Sequence, residues 1–114
     1  MADHVAPWRS VYKIHLLSDS EVTFALTSGG HNAGIVSEPG HAKRSFQLLT
    51  RQAHDTHLDP DTWLRVAPCT DGSWWPAWQQ WLAAHSSERV APPRVATPAG
   101  TPLADAPGSY VLLR

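Results

Sequence analysis

A short apolar stretch of the sequence runs directly into a glycine-rich one: Glu21-Val22-Thr23-Phe24-Ala25-Leu26-Thr27-Ser28-Gly29-Gly30-His31-Asn32-Ala33-Gly34. Residues 21–27 are β-branched, aromatic and bounded by turn residues, which is typical of a buried strand. Residues 28–34 hold three glycines, which let the backbone bend sharply. We therefore expect a strand that is followed by a loop with His31 at an exposed tip.

Helices are expected on both sides of this strand. Apolar residues recur at helical spacing over residues 8–17, and Pro7 is tolerated in a first helical turn. Asp59-Pro60-Asp61 combines an N-cap with a following proline, which predicts a short helix that ends near residue 66. Tryptophans at helical spacing predict a further helix over about 74–86. We expect this stripe to pack in a core, because each tryptophan buries about 150–250 Å². Binding of a polymer or an acyl chain is the alternative.

One strand cannot make a sheet by itself. Either residues 44–51 supply a second strand, or the chain is part of a larger fold. The ordered body is expected over residues 1–90. The rest, 91–114, is rich in proline and alanine and lacks apolar periodicity over most of its length, so we expect an extended tail there.

The composition excludes several classes of protein. The 114 residues suffice for one domain, and a net charge of −1 lacks the basic footprint of a nucleic-acid binder. A single cysteine rules out an internal disulfide framework and fits a reducing compartment. No apolar run approaches the roughly 20 residues that span a bilayer, and the start is too polar for a signal peptide. We expect a cytoplasmic protein with no nucleic-acid or membrane partner.

An aspartate and a histidine flank the first helix and strand. Asp3 precedes them and His31 follows them, at a separation of 31 − 3 = 28 residues. The order acid, helix, strand, histidine is that of the closing half of an α/β-hydrolase. If a crossover joins parallel strands, both loops lie at the same carboxyl edge, where Asp3 could hydrogen-bond one ring nitrogen of His31. A helix-initiating aspartate and an unrelated turn histidine are the alternative.

Other reactive residues give weaker signals. Cys69 lies between two predicted helices without flanking glycines, so we expect a plain loop cysteine rather than a nucleophile. His54 and His57 stand near two aspartates, but no second cluster completes a zinc site. A solvated loop is favoured there, and we expect no metal and no cofactor.

Four segments of the chain form a recognisable series. They are Asp3-His4-Val5-Ala6-Pro7-Trp8, Thr27-Ser28-Gly29-Gly30-His31-Asn32-Ala33-Gly34-Ile35-Val36, Gly72-Ser73-Trp74-Trp75-Pro76-Ala77-Trp78 and Ala106-Pro107-Gly108-Ser109-Tyr110-Val111. In this order they resemble the acid loop, the histidine loop, the tryptophan-rich motif and the final segment of the class I poly(3-hydroxyalkanoate) synthases. The resemblance spans about residues 1–114.

This resemblance implies the C-terminal part of an α/β-hydrolase fold, incomplete by itself, in an enzyme that polymerises (R)-3-hydroxyacyl-CoA into polyester with release of CoA. A cysteine in a G-x-C-x-G elbow would carry the acyl chain. His31 would take the thiol proton, Asp3 would support His31, and His4 would have a supporting role. Neither G-x-C-x-G nor G-x-S-x-G occurs in these 114 residues, so the chain alone is expected to be inactive.

The partners implied are hydroxyacyl-CoA, the growing polyester, an upstream segment that bears the nucleophile, and a second copy in a homodimer. The location implied is the cytoplasm or the surface of polyhydroxyalkanoate granules. Two alternatives remain open at this point. One is a non-catalytic interaction module, associated with a synthase or a granule. The other is a small independent hydrolase that uses another nucleophile.

Overall fold

A computed structural model describes residues 3–92 and 104–113 as a small mixed arrangement of helices and strands. The helices are α1 (Trp8–Val11), α2 (Ile14–Leu17), α3 (His31–Ile35), α4 (Pro60–Val66) and α5 (Trp75–Ala84). The strands are β1 (Val22–Thr27), β2 (Ser45–Arg51) and β3 (Cys69–Asp71), and Tyr110–Leu112 forms a 3₁₀ turn. Half of the expected tail, residues 93–103 and 114, lies outside the described residues. None of the helices within these ranges is long and apolar enough to cross a membrane.

The three strands form one antiparallel sheet in the order β1-β2-β3. Val22 pairs with Arg51 at one end of β1, and Thr27 pairs with Phe46 at the other. Residues 45–51 therefore supply a second strand, and this pairing does not exclude the other option, that the chain is part of a larger fold. The expectation that Cys69 lies in a loop is wrong, because Cys69 pairs with Gln47 as the first residue of β3. Three residues are too few for a period-two pattern to show in the sequence.

The single helix expected over residues 8–17 is divided into α1 and α2. The N–H groups of Lys13, His15 and Leu16 donate to carbonyls three residues back rather than four. This 3₁₀-type winding brings side chains three apart into line. Tyr12 and His15 accordingly lie one above the other, with ring centroids 4.4 Å apart, and both are buried.

The strand expected over residues 21–27 is confirmed by β1, but the loop expected over 28–34 is only partly right. Residues 28–30 form a bend, and α3 then begins at His31 itself. At five residues, α3 is too short and too glycine-rich to show apolar periodicity.

The helix expected from residue 60 is confirmed by α4, since the Asp59 carboxylate accepts the N–H groups of Asp61 and Thr62, each at 3.0 Å. The helix expected over about 74–86 is confirmed by α5, one to two residues shorter at its ends.

The core of the described residues is an aromatic cluster between the sheet, α4 and the α1–α2 segment. Trp63 of α4 is only 2% exposed and meets Phe24 of β1 edge to face, with centroids 5.3 Å apart. Tyr12 joins this cluster, and its hydroxyl donates to the Leu58 carbonyl at 2.9 Å. The remaining buried members of the cluster are Leu26 and Ala67.

The expectation that the tryptophan stripe packs in a core is wrong for α5, which has no buried residue. Trp78 is 46% exposed and Trp81 is 41% exposed. Helical spacing identified the helix correctly, but it could not show whether a partner surface covers the stripe. In the described residues the core tryptophan is Trp63, which belongs to α4.

Candidate acid–histidine site

Asp3 lies in the turn that leads into α1, with its side chain 23% exposed. Its Oδ1 accepts the N–H groups of Val5 at 2.9 Å and Ala6 at 3.0 Å. These two bonds fix the carboxylate plane and leave Oδ2 free to face another group. The N–H of Ala6, then that of Val5 and the ring of His31, hold the pKa of the Asp3 carboxyl below its usual 3.8, while partial desolvation acts in the opposite direction.

His31 faces this free oxygen. Its Nδ1 lies 3.5 Å from Asp3 Oδ2, so the structure brings together the two residues that the sequence order had paired. The separation exceeds the 2.7–3.2 Å of a normal N–H···O bond. The His31 side chain is 52% exposed, so a group outside these residues can approach its other nitrogen, Nε2.

The backbone around His31 is unusual. His31 has a φ of +31°, and Gly29, two residues earlier, has a φ of +108°. Positive φ is uncommon for residues other than glycine, and such strain clusters at functional sites. The bend over residues 28–30 therefore turns the chain sharply out of β1 and delivers the imidazole at the end of this strand.

Gly34 allows α3 to lie directly on the end of β1. A Cβ at Gly34 would clash with the Thr27 side chain and would lie 2.7 Å from the Ser28 carbonyl oxygen. Only glycine fits at this distance, so the close approach of α3 to β1 depends on Gly34. The position of His31, on the same one-and-a-half-turn helix, depends on that approach.

A second attachment of α3 comes from the tryptophan-rich segment, and it was not foreseen from the sequence. The indole N–H groups of Trp74 and Trp75 both donate to the carbonyl oxygen of Ile35, at 2.9 and 2.8 Å. The Ser73 hydroxyl donates to the Ser37 carbonyl at 2.5 Å. The Ser73-Trp74-Trp75 tripeptide was available as a signal, but indole donors do not reveal their acceptors in a sequence.

A cavity of about 540 Å³ opens beside the pair of side chains. Its wall includes Asp3 and His31, and its apolar part comes from α1, β1 and α3. The apolar side chains that line it include Trp8, Val11, Phe24, Leu26 and Ile35. This volume lies within the roughly 300–1,000 Å³ of small-molecule sites.

Of the other candidate residues, only His4 adjoins this pair. His4 is exposed next to Asp3. Cys69 is exposed on β3, and β2 separates it from the strand that leads to His31. His54 and His57 are exposed, and residues 3–92 and 104–113 contain no group of three potential metal ligands.

The geometry suits general-base chemistry. A carboxylate that faces Nδ1 favours the tautomer with the proton on Nδ1, which leaves Nε2 as the basic nitrogen. The carboxylate also stabilises the imidazolium that forms when Nε2 accepts a proton. The arrangement can therefore take a proton from a nucleophile and later return it to a leaving group.

Comparison with known proteins gives a consistent series of relatives. The chain is 39% identical over 112 residues to a poly(3-hydroxyalkanoate) polymerase subunit PhaC of Rhizobium etli, covering 98% of the chain and 17% of the relative. It is 36% identical over 113 residues to poly(3-hydroxyalkanoate) polymerase 2 of Ectopseudomonas oleovorans, covering 98% of the chain and 20% of the relative. It is also 36% identical over 110 residues to the PhaC subunit of Cupriavidus necator, covering 96% of the chain and 18% of the relative. The chain thus spans about a fifth of the length of these relatives. No protein-family model matches it.

Proposed function

We propose that the chain, which is homologous to a C-terminal segment of the poly(3-hydroxyalkanoate) polymerases, supplies the aspartate–histidine half of the acyl-transfer site of such an enzyme. The observation that carries the proposal is the 3.5 Å approach of His31 Nδ1 to Asp3 Oδ2. The reaction would be the polymerisation of (R)-3-hydroxyacyl-CoA into polyester with release of CoA.

His31 acts in this proposal as a general base toward a cysteine thiol that lies outside these 114 residues. Nε2 takes the thiol proton, and the thiolate attacks the thioester carbonyl of hydroxyacyl-CoA. CoA leaves as its thiolate and receives that proton from His31, while the acyl group stays on the cysteine as a new thioester. A thiol is mostly protonated near pH 7, so a base beside it raises the fraction of thiolate.

Asp3 has two tasks in the proposed reaction. Held by Val5 and Ala6, it orients the His31 ring and stabilises the imidazolium. It also helps the same histidine to accept the proton of the hydroxyl of the next acyl unit. The oxygen attacks the acyl-cysteine, the thioester C–S bond breaks as the ester bond forms, and the cysteine thiolate recovers the proton from His31. His4 is exposed beside Asp3 and has a supporting role at most.

The proposal places the chain within a larger α/β-hydrolase fold that an upstream segment completes. Exposed apolar side chains on α1, α2 and α3 and just after α3 support this, because no described residue covers them. Val11, Leu16, Leu17, Ile35 and Val36 are between 48% and 81% exposed. Large exposed apolar side chains are the ones that an interface covers, so the upstream segment is expected to pack on them. The cytoplasm or the surface of a polyester granule, and a homodimeric enzyme, belong to the same proposal.

A second candidate function is a non-catalytic module that binds a synthase or a polyester granule. The observation that favours it is the exposed end of α5, where Trp81 and Leu82 are each 41% exposed. In this case the 3.5 Å approach of His31 to Asp3 would have no chemical consequence.

An experiment with a fusion enzyme distinguishes these two proposed functions. In it, the 18% of the Cupriavidus necator relative that matches this chain is replaced by the 114 residues. We expect the fusion enzyme to release CoA from 3-hydroxybutyryl-CoA, and His31→Ala to lower that rate by roughly 10³-fold or more. The matched control is His41→Ala, because His41 is an exposed histidine that pairs with Glu38, at 3.1 Å. Equal rates for the His31→Ala and His41→Ala variants would contradict the catalytic proposal.

A further inference from the structure

We propose that Trp74 and Trp75 are positioning residues for His31, an inference that rests on the proposed catalytic role of this histidine. Both indole N–H groups donate to one acceptor, the carbonyl oxygen of Ile35. Ile35 is the last residue of α3, and His31 is the first. The two tryptophans therefore hold one end of a five-residue helix whose other end presents the imidazole to Asp3.

Such a short helix depends on external attachment. Helices below about 12 residues are marginal in water, and the carbonyls at a helix C-terminus lack intrahelical partners. No side chain caps the N-terminus of α3. A carbonyl oxygen has two lone pairs and can accept both indole bonds at once. The Ile35 carbonyl is thus a fixed point from which the orientation of α3 follows.

The attachment acts together with two further contacts. The Ser73 hydroxyl binds the Ser37 carbonyl just beyond α3, and both serines are buried. On its other side, α3 lies on Thr27 and Ser28 through the bare backbone of Gly34. The helix is therefore held between the end of β1 and the Ser73-Trp74-Trp75 segment, which leaves little freedom for His31 to move away from Asp3.

Packing alone is the competing explanation, because the Trp74 ring stacks on Trp78 with centroids 5.2 Å apart. A packing role depends on the volume of the indole, whereas the positioning role depends on its N–H. These two explanations can be distinguished with β-(3-benzothienyl)alanine, an analogue that keeps the fused rings of tryptophan and replaces the N–H by sulfur.

The experiment places this analogue at position 74, at position 75 and at both positions of the fusion enzyme, with Trp78 as the matched control site. Each single replacement leaves one indole bond to Ile35, so we expect kcat for CoA release to fall by about threefold or less. The double replacement frees the end of α3, and we expect kcat to fall by about tenfold or more with KM unchanged, because small misplacements of a catalytic group are costly. Replacement at Trp78 leaves kcat unchanged.

The inference is overturned if the double replacement has the kcat of the Trp78 control, or if it raises KM with kcat intact. His31→Ala in the same fusion enzyme tests the underlying function separately. If His31→Ala leaves the rate intact, or if the fusion enzyme with unmodified tryptophans is inactive, the proposed function fails and this inference fails with it. If His31→Ala abolishes the rate and the double replacement does not lower it, only the inference fails.

Discussion

Replacing Gly34 by alanine tests how closely α3 must lie on β1. The new Cβ would lie 2.7 Å from the Ser28 carbonyl oxygen, whereas ordinary van der Waals contacts begin at 3.4 Å. Relief of this clash requires α3 to move outward by roughly 0.7 Å, if the neighbours stay in place. A misplacement of about 1 Å can cost 10²-fold in rate, so we expect Gly34→Ala to lower kcat for CoA release in the fusion enzyme by at least about tenfold. The free energy of unfolding should change less. Overpacking costs about 1–3 kcal/mol, and the higher helix propensity of alanine offsets about 0.5–1 kcal/mol of this cost.

Gly40→Ala is the matched control for this substitution. Gly40 has a φ of +90°, so alanine there is strained by about 1–2 kcal/mol, but no atom lies within 4 Å of the new Cβ. We expect this variant to lose comparable stability and to keep its kcat. The assay is the steady-state release of free CoA, followed with a thiol reagent at saturating 3-hydroxybutyryl-CoA. Equal kcat values for the two alanine variants would refute the argument that Gly34 sets the position of His31.

Three further outcomes are expected in the fusion enzyme. Asp3→Asn retains an oxygen that can accept the N–H groups of Val5 and Ala6 but loses the negative charge. We expect kcat to fall by roughly 10²–10⁴-fold while the circular dichroism spectrum stays unchanged. A loss of less than about threefold would contradict this. Asp59→Ala removes the N-cap of α4, which should lower the free energy of local unfolding by about 1 kcal/mol. Amide hydrogen exchange in peptides from α4 should then be about fivefold faster. Unchanged exchange would contradict the role of Asp59 as a cap. Burial, with smaller contributions from Arg51 and His57, lowers the pKa of His15. Below about pH 6.5 the unfolded state therefore binds a proton at His15 that the folded state does not bind. Local stability should fall as the pH drops below this value. Exchange in peptides from β1 should then rise relative to a His15→Leu variant between pH 7 and 5, and parallel profiles would show that His15 does not titrate with folding.

The part of the fold that the sequence predicted is the part with strong local signals. β1 follows from a β-branched and aromatic run, and α4 follows from the Asp59 cap and Pro60. The division of the first helix at Tyr12 could not be foreseen, because its apolar spacing is the same for one helix or two. The third strand could not be foreseen either, since Cys69–Asp71 is exposed and only three residues long.

The candidate site was predictable for a different reason. The order of Asp3 and His31 along the chain, and the residues around them, indicated a pair before any distance was known. The crossover between parallel strands that motivated this pairing does not occur among the described residues, whose sheet is antiparallel. The contacts that support α3 could not be predicted from the sequence, because they join Trp74 and Trp75 to a backbone carbonyl 39 and 40 residues away.

The central claim is that His31 activates a cysteine supplied by an upstream segment, and the alkylation rate of that cysteine tests it most directly. Iodoacetamide reacts with the thiolate, so the rate constant in the fusion enzyme reports the proton transfer itself, without substrate binding or polymer growth. We predict that His31→Ala slows alkylation by about tenfold or more at pH 7, and that the two proteins converge near pH 10, where the thiol ionises without help. Identical rate constants at pH 7 for the fusion enzyme and its His31→Ala variant would contradict the claim.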